Sequence, residues 1–476
     1  MNLITIAWIA LPFFIGFSIY LLPKLSRHLT LGVALISLGY ALQQLFDPIS
    51  QTLHLLDRFG VTLLIDPLSG FFILTNALVT AAVILYCWGS GKTAFFYTQV
   101  IILHGSVNAV FVCADFISLY VALEVISIAA FLLIAYPRTD RAIWVGLRYL
   151  FVSNTAMLFY LIGAILVYQA NQSFAFEGLQ RAPTEAIALI FLGLLTKGGI
   201  FVSGLWLPLT HSESETPVSA LLSGVVVKTG IFPLVRFALL FDGIDPIVRI
   251  FGVGTALLGV GYAVFEKDTK RMLAFHTISQ LGFVLAAPEV GGFYALTHGL
   301  VKAALFLIAG NLPSRTFKEL KQTPIPTSIW IALAIASFSI SGFPLLSGFG
   351  AKVLTMKNLL PWQVVGMNLA ALGTAISFAK FIFLPHGERE HSTKPSFWIA
   401  MVVLLGGLFA ANVVYYEAYT FANIVKPLAT IGLGWLAYLL IFQRSVLKLP
   451  RVMEQFEHLI GVMSLMLTLL FWMVMA

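Results

Sequence analysis

Sixteen apolar blocks follow one another along this chain, each near the length that crosses a hydrocarbon core, and no soluble domain separates them. They fall at approximately 3–22, 28–46, 67–89, 95–114, 115–136, 142–168, 184–209, 216–240, 244–264, 269–287, 290–311, 326–358, 362–385, 395–416, 419–442 and 456–475, hereafter segments 1 to 16. In lipid every backbone polar group must find its partner inside the structure, so such blocks become helices. The expected fold is an all-α polytopic membrane protein of about 14–16 transmembrane helices. Only 10% of residues are charged, against roughly 25% in a soluble domain, too few to cover a soluble surface. This excludes a disordered chain, a disulfide framework and a nucleic-acid binder. Cys87 and Cys113 lie inside apolar blocks with no Cys-x-x-Cys, and an iron–sulfur cluster needs about four ligands, so both read as small core residues. No basic stretch or cleavage site precedes Lys24, so the first block reads as a retained span.

The few charges are sorted by place. Connections after odd-numbered segments hold sixteen Lys and Arg, from Lys24 and Arg27 through Lys92, Arg141 and Arg315 to Arg389, Arg444, Lys448 and Arg451. The even-numbered connections clearly hold only Arg58 and Arg181. The positive-inside rule then places the odd connections in the cytoplasm and both termini on the opposite side. The formal charge of +7 therefore needs no acidic partner.

Two segments are not plain helices. Segment 7 carries Thr196-Lys197-Gly198-Gly199 at its middle, and segment 12 carries Ser341-Gly342-Phe343-Pro344 followed by Ser347-Gly348-Phe349-Gly350-Ala351-Lys352. Proline cannot donate a helical hydrogen bond and glycine tolerates unwound backbone. Broken helices in corresponding places of two halves mark transport sites built from repeats, whereas one alone is often a simple kink. Ionisable residues recur at matching offsets: 152 residues separate Glu124 from His276 and Lys228 from Lys380, and 155 separate Lys197 from Lys352. Segments 4–8 and 9–13 thus read as two five-helix units. Because five is odd, the second is inverted relative to the first. The expected organisation is N-terminal helices over 1–94, a first repeat over 95–240, a second over 241–385 and C-terminal helices over 386–476.

Charged side chains at mid-membrane are costly, about 2.5–3.5 kcal/mol each on insertion scales, and those present default to function. Glu124 sits in Ala122-Leu123-Glu124-Val125-Ile126 with no other charge on its helix, so its partner must come from elsewhere, and Lys197 is the natural candidate. The alternative is an ion pair that merely locks helices. Lys197, Lys228, Lys302 and Lys352 all have apolar surroundings. A lysine beside a movable carboxylate keeps its proton, and one left alone in an apolar site sheds it, which is the switch a proton carrier needs. Lys380 lies near a segment end, where snorkelling competes with function. His276, Ser279 and Gln280 share one helix face, and His298 and Lys302 are spaced i, i+4. Histidine relays protons near neutral pH, against the plainer reading of a satisfied core residue, which is favoured for the isolated His104. No acidic or thiol ligands accompany His276 and His298, so no metal is expected. In order, Glu124, Lys197, Lys228, His276, His298, Lys302 and Lys352 form a polar axis if the broken helices face each other, with water filling the gaps.

These residues resemble the antiporter-like membrane subunits shared by complex I, membrane-bound hydrogenases and Mrp-type Na+/H+ antiporters. Asp66-Pro67-Leu68-Ser69 is similar to the family's motif opening helix 3, and Ala122-Leu123-Glu124 to its helix-5 glutamate. Lys197, then Leu205-Trp206-Leu207-Pro208 and His211-Ser212-Glu213, resembles the family's helix 7 and its continuation. Ser219 through Gly230 resembles helix 8, Lys270 through Gln280 helix 10, and His298 through Phe306 helix 11. The resemblance implies Glu124 and Lys197 as a coupled pair, Lys228 as relay and Lys352 as terminal carrier; His211, within the matched motif, and Lys380, by its spacing alone, are further possible members of the pathway. Lysine at the last position looks more like the Mrp D-type subunit than the complex I subunit with glutamate there. Segments 15 and 16 exceed the family's usual fourteen spans, and the run after His211 lacks the alanine and proline of many relatives.

The expected function is a proton-translocating subunit of a multi-subunit Mrp-type cation/proton antiporter, with other membrane subunits and the bilayer as partners. Na+ is expected at a neighbouring subunit, since a lysine-rich axis repels it. The alternatives are an accessory pump of an NAD(P)H–quinone oxidoreductase, with redox chemistry on other chains, and a scaffold of an inorganic-carbon uptake complex. Nothing in the chain reads as a nucleotide, flavin or cluster site, so no cofactor is expected. The expected location is a plasma or thylakoid-type energy-transducing membrane.

Overall fold

A computed structural model describes residues 2–48, 50–56, 60–388, 393–444, 447 and 449–475. Arg58, Arg389 and Lys448 of the charge count lie outside the described residues. Each expected segment is helical. Among the described residues, eleven helices are individually long and apolar enough to cross a membrane: Pro23–Phe46, Pro67–Tyr86, Phe116–Ile134, Asp140–Asn171, Thr216–Leu240, Asp245–Phe265, Pro288–Ala309, Pro361–Ile382, Pro395–Val414, Phe421–Phe442 and Phe456–Met475. Segment 7 is a bent pair, Thr184–Gly198 and Phe201–Glu213, at 41°. Leu3–Ser18, Ala94–Val110 and Thr327–Ser341 are shorter, and Thr269–Ala286 is the polar segment 10. The chain is an integral membrane protein of helices.

Several segments begin where a side chain satisfies the first free amides. Asp66 accepts from the Ser69 amide at 2.9 Å, with Pro67 in the first turn. Asp115 caps segment 5 through Ser118 at 2.7 Å, and Asp268 caps segment 10 through Arg271 at 2.9 Å. An antiparallel hairpin that the apolar pattern does not announce stands between segments 2 and 3, Gln51–Leu56 against Gly60–Ile65, with Leu53 opposite Leu63. It packs on the start of segment 5, where the Thr62 amide donates to Asp115 at 2.8 Å.

The connections divide onto two faces. On one, Arg27 donates to the Trp88 carbonyl at 2.8 Å, Lys92 pairs with Glu215 at 2.7 Å, and Arg141 and Arg315 both reach Glu213. Arg315 also pairs with Asp268, Arg451 with Glu266, and Lys394 donates to the Gly89 carbonyl. These contacts tie every odd connection from the first to the fifteenth to a neighbour on the same face. On the other face Asp66 pairs with Arg236, and Arg249 gathers Asp245, Glu289 and the carbonyls of Ala286 and Asn358. The contacts of the odd connections and those of the even connections stay in separate sets, and the basic connections share one side.

Candidate functional site

The site is built around the two chain breaks. At the first, Gly199 turns left-handed at φ +71°, its amide donating to the Thr196 carbonyl and that of Ile200 to Leu195. At the second, Gly342 does the same at φ +86°, its amide donating to Ser339 and that of Phe343 to Phe338. This is one helix-ending motif used twice, with glycine where a side chain would be strained. A second glycine closes each break: a β-carbon on Gly204 would lie 2.1 Å from the Gly199 carbonyl oxygen, and one on Gly348 1.8 Å from that of Ser339. Trp206 of the Trp-Leu-Pro run donates its indole N–H to the Thr196 carbonyl at 2.9 Å, a carbonyl near the end of the first half-helix.

Lys197, two residues before its break, is buried, and its ammonium spends all three protons. It donates to Ser127 Oγ at 2.5 Å, Ser153 Oγ at 2.8 Å and the Leu123 carbonyl at 3.1 Å. The two hydroxyls also bond each other at 2.9 Å. Glu124, beside Leu123 and within electrostatic reach of Lys197, forms no ion pair with it among the described residues, and its Oε1 has no protein partner. The expected pair is therefore adjacent but not joined. The hydroxyls that hold Lys197 were missed, although Ser127 lies at i+3 from Glu124 on the same helix face.

Lys228 follows a single π-helical turn, Leu222–Val226, and donates to the Ser223 carbonyl at 3.1 Å. Ser223 Oγ bonds Thr277 Oγ1 of segment 10 at 2.7 Å. Lys302 donates to the Leu273 carbonyl at 2.8 Å. His298 lies within electrostatic reach of Lys228, Lys302 and His276, and His211 of Lys228 and Lys302. The rings of His276 and His298 are buried with no hydrogen-bond partner on either nitrogen among the described residues, and the buried His211 ring stands beside the Leu207 backbone. The structure thus brings Lys228, His298, Lys302, His276 and His211 into one cluster at the centre of the bundle. Ser279 turns away to the Ala256 carbonyl at 2.9 Å, and Gln280 instead meets Tyr294 at 2.8 Å.

Lys352 lies ten residues beyond its break glycine, its amine without a partner among the described residues and 5.4 Å from the Phe283 ring centre. It is within electrostatic reach of His276, which joins it to the central cluster. The buried hydroxyls of Ser337, Ser339, Ser347 and Thr355 share segment 12 and likewise lack partners. Lys380 donates to the carbonyls of Ala263 at 3.1 Å and Glu266 at 2.8 Å, capping the end of segment 9. His104 is satisfied by Thr80 at 3.2 Å and Ser37 at 2.9 Å, away from the cluster. No group of three or more His, Cys, Asp or Glu converges as a metal ion requires, among the described residues.

Three comparisons bear on this arrangement. The NADH:quinone oxidoreductase/Mrp antiporter transmembrane family pattern matches residues 113–377, more than half of the chain. The D subunit of the Na(+)/H(+) antiporter of Alkalihalophilus pseudofirmus is 27% identical over 90% of this chain and 98% of its own. The N subunit of the NADH-quinone oxidoreductase of Desulforudis audaxviator is 28% identical over 79% of this chain and 84% of its own. The fold is shared with a chain of the membrane-bound sulfane sulfur reductase, an archaeal respiratory membrane complex, at TM-score 0.78 and 20% identity, covering 92% of this chain and 99% of that one. It is shared also with a chain of the Mrp complex of a Dietzia species at TM-score 0.75 and 20% identity, covering 97% of this chain and 100% of that one. The matched region holds both breaks and every residue of the cluster, and the chain belongs to the NADH:quinone oxidoreductase/Mrp antiporter transmembrane family.

Proposed function

We propose that this chain is the proton-translocating subunit of a multi-subunit Mrp-type Na+/proton antiporter. The observation that carries the reading is the buried file of ionisable groups: Glu124 and Lys197 at one end, the Lys228–His298–Lys302–His276 cluster in the middle, and Lys352 at the other. Water bridges the gaps, because the imidazoles and the terminal amine have polar atoms that no protein group satisfies. Lys197 rests in its hydroxyl cradle while the file is unloaded. A proton passed toward Lys352 changes the field along the file, and Lys197 leaves the cradle for Glu124. Residues 95–240 and 241–385 form the two half-channels. The basic face is cytoplasmic, which puts both termini on the opposite side. Four lysines against one carboxylate repel Na+, so the exchanged cation crosses on a neighbouring subunit.

The test is proton flux through the assembled complex in vesicles. Lys197→Ala, Glu124→Gln and Lys352→Ala each abolish flux while the complex stays assembled. Wild-type flux in any of them defeats the reading, and flux lost only together with assembly assigns the chain a structural role. A second reading, an accessory pump of an NAD(P)H–quinone oxidoreductase, draws on the similarity to the NADH-quinone oxidoreductase relative. It requires flux driven by NAD(P)H oxidation in the purified complex, in place of flux driven by a Na+ gradient.

A further inference from the structure

A cavity of about 510 Å³ opens between the second half of segment 12 and the first turns of segments 13 and 15. Lys352, Lys357 and Lys426 line it together with Asn368, Asn423 and Thr430, and no carboxylate does. None of the three lysines forms an ion pair among the described residues. The two exposed lysines, Lys357 and Lys426, are like charges around one space and repel one another, and near a membrane surface that repulsion is only partly screened. Lys352 is 94% buried by its 6% exposure, and its amine has no partner. Lys357 and Lys426 are exposed at the rim.

The depth of this cavity is fixed by its neighbours. Lys357 adjoins Asn358, whose carbonyl accepts from Arg249 at 3.1 Å within the charged belt of the even-connection face. The rim therefore stands at headgroup level, and Lys352, five residues earlier on the helix, lies about 7.5 Å deeper. Around the mouth the surface is apolar, with Val365 69%, Leu369 55% and Phe421 84% exposed. An anion that brought only charge would leave those side chains bare.

We infer that this cavity binds the phosphodiester headgroup of an anionic phospholipid, its phosphate between Lys357 and Lys426 and its acyl chains along segments 13 and 15. The rim lysines supply the charge for the phosphate, and the exposed Val365, Leu369 and Phe421 supply the apolar flank for the acyl chains. The inference stands whether or not Lys352 carries protons.

The test is lipid retention by the purified complex, read by native mass spectrometry after incubation with vesicles of phosphatidylcholine, with or without phosphatidylglycerol. Wild-type complex retains phosphatidylglycerol through delipidation, and Lys357→Gln with Lys426→Gln lowers retention at least fivefold, with the thermal transition unchanged. Lys24→Gln, on the opposite face, leaves retention as it was. Equal retention by the double variant overturns the proposal, as does equal retention of phosphatidylcholine by the wild type. Displacement of the lipid by inorganic phosphate at millimolar concentration also overturns it, since it shows a free-anion site. If the double variant does not assemble, Lys426→Gln alone, on an exposed side chain, makes the same comparison.

Discussion

Ser153 is the sharpest place to test the lysine cradle. Lys197 is 2% exposed and Ser153 5%, so water does not replace a lost hydroxyl there without rearrangement. Ser153→Ala removes one of three bonds to a buried ammonium, the one at 2.8 Å. A hydrogen bond to a charged group contributes about 1.5–3 kcal/mol. At about 1.4 kcal/mol per factor of ten, the balance between cradle and Glu124 moves by roughly 10- to 100-fold toward the carboxylate. Glu124 Oε1, which has no partner, is the acceptor that gains. If transport needs Lys197 to return to the cradle each cycle, Ser153→Ala slows Na+-driven proton flux by that factor with assembly intact. Ser153→Thr, which keeps the hydroxyl, restores most of it. The assay is a pH-sensitive dye inside vesicles holding the complex. Wild-type flux in Ser153→Ala refutes the cradle as a resting place, whatever the roles of Lys197 and Glu124.

Three further outcomes rest on other parts of the molecule. Gly348→Ala places a β-carbon 1.8 Å from the Ser339 oxygen, so the half-helices of segment 12 must separate; overpacking of this kind costs about 1–3 kcal/mol, and a lower melting temperature of the purified complex registers it. Asp66→Asn leaves buried Arg236 without its charge partner, a loss of about 3–5 kcal/mol near neutral pH. Burial raises the Asp66 carboxyl, but Arg236 and Ser69 outweigh it and hold the group below its ordinary 3.8. The folded value is depressed, so the stabilisation is present above 3.8 and lost as pH falls through the lower folded value, and the melting curves of wild type and variant converge there. Glu454→Gln weakens the contact with Arg271 at 2.8 Å that anchors the entry to segment 16, and trypsin cleaves at the exposed Arg451 several-fold faster. Equal cleavage rates assign the anchoring to the remaining contacts of this entry, the Arg451–Glu266 pair and the apolar packing of segment 16.

The helices were legible because apolar length leaves the backbone few alternatives in lipid, and the two faces were legible because charge seeks water. What the sequence does not announce is which polar groups meet. Ser127 and Ser153 lie on different helices, 26 residues apart, and only the packing of segments 5, 6 and 7 joins them at Lys197. The hairpin over 51–65 is hidden because it is short and lies between stronger helical signals. Arg236 and Arg249, inside apolar segments, would have counted as mid-membrane charges; both reach carboxylates on the even-connection face. Lys380, a candidate by its spacing, spends its protons on segment 9 carbonyls.

The two breaks are related by 143 residues, from Gly199 to Gly342, whereas the two lysines are 155 apart. Lys197 therefore belongs to the half-helix before its break, and Lys352 to the one after. The difference has a chemical consequence. Before the break, the ammonium meets serine hydroxyls and a carbonyl of neighbouring helices, and all three of its protons are held. After the break, the amine faces the ring of Phe283 and the wall of a cavity, and no group among the described residues holds it. One lysine is thus held by three protein acceptors, and the other by none among the described residues. The matching breaks thus carry their lysines on opposite sides, and the two amines stand in different surroundings.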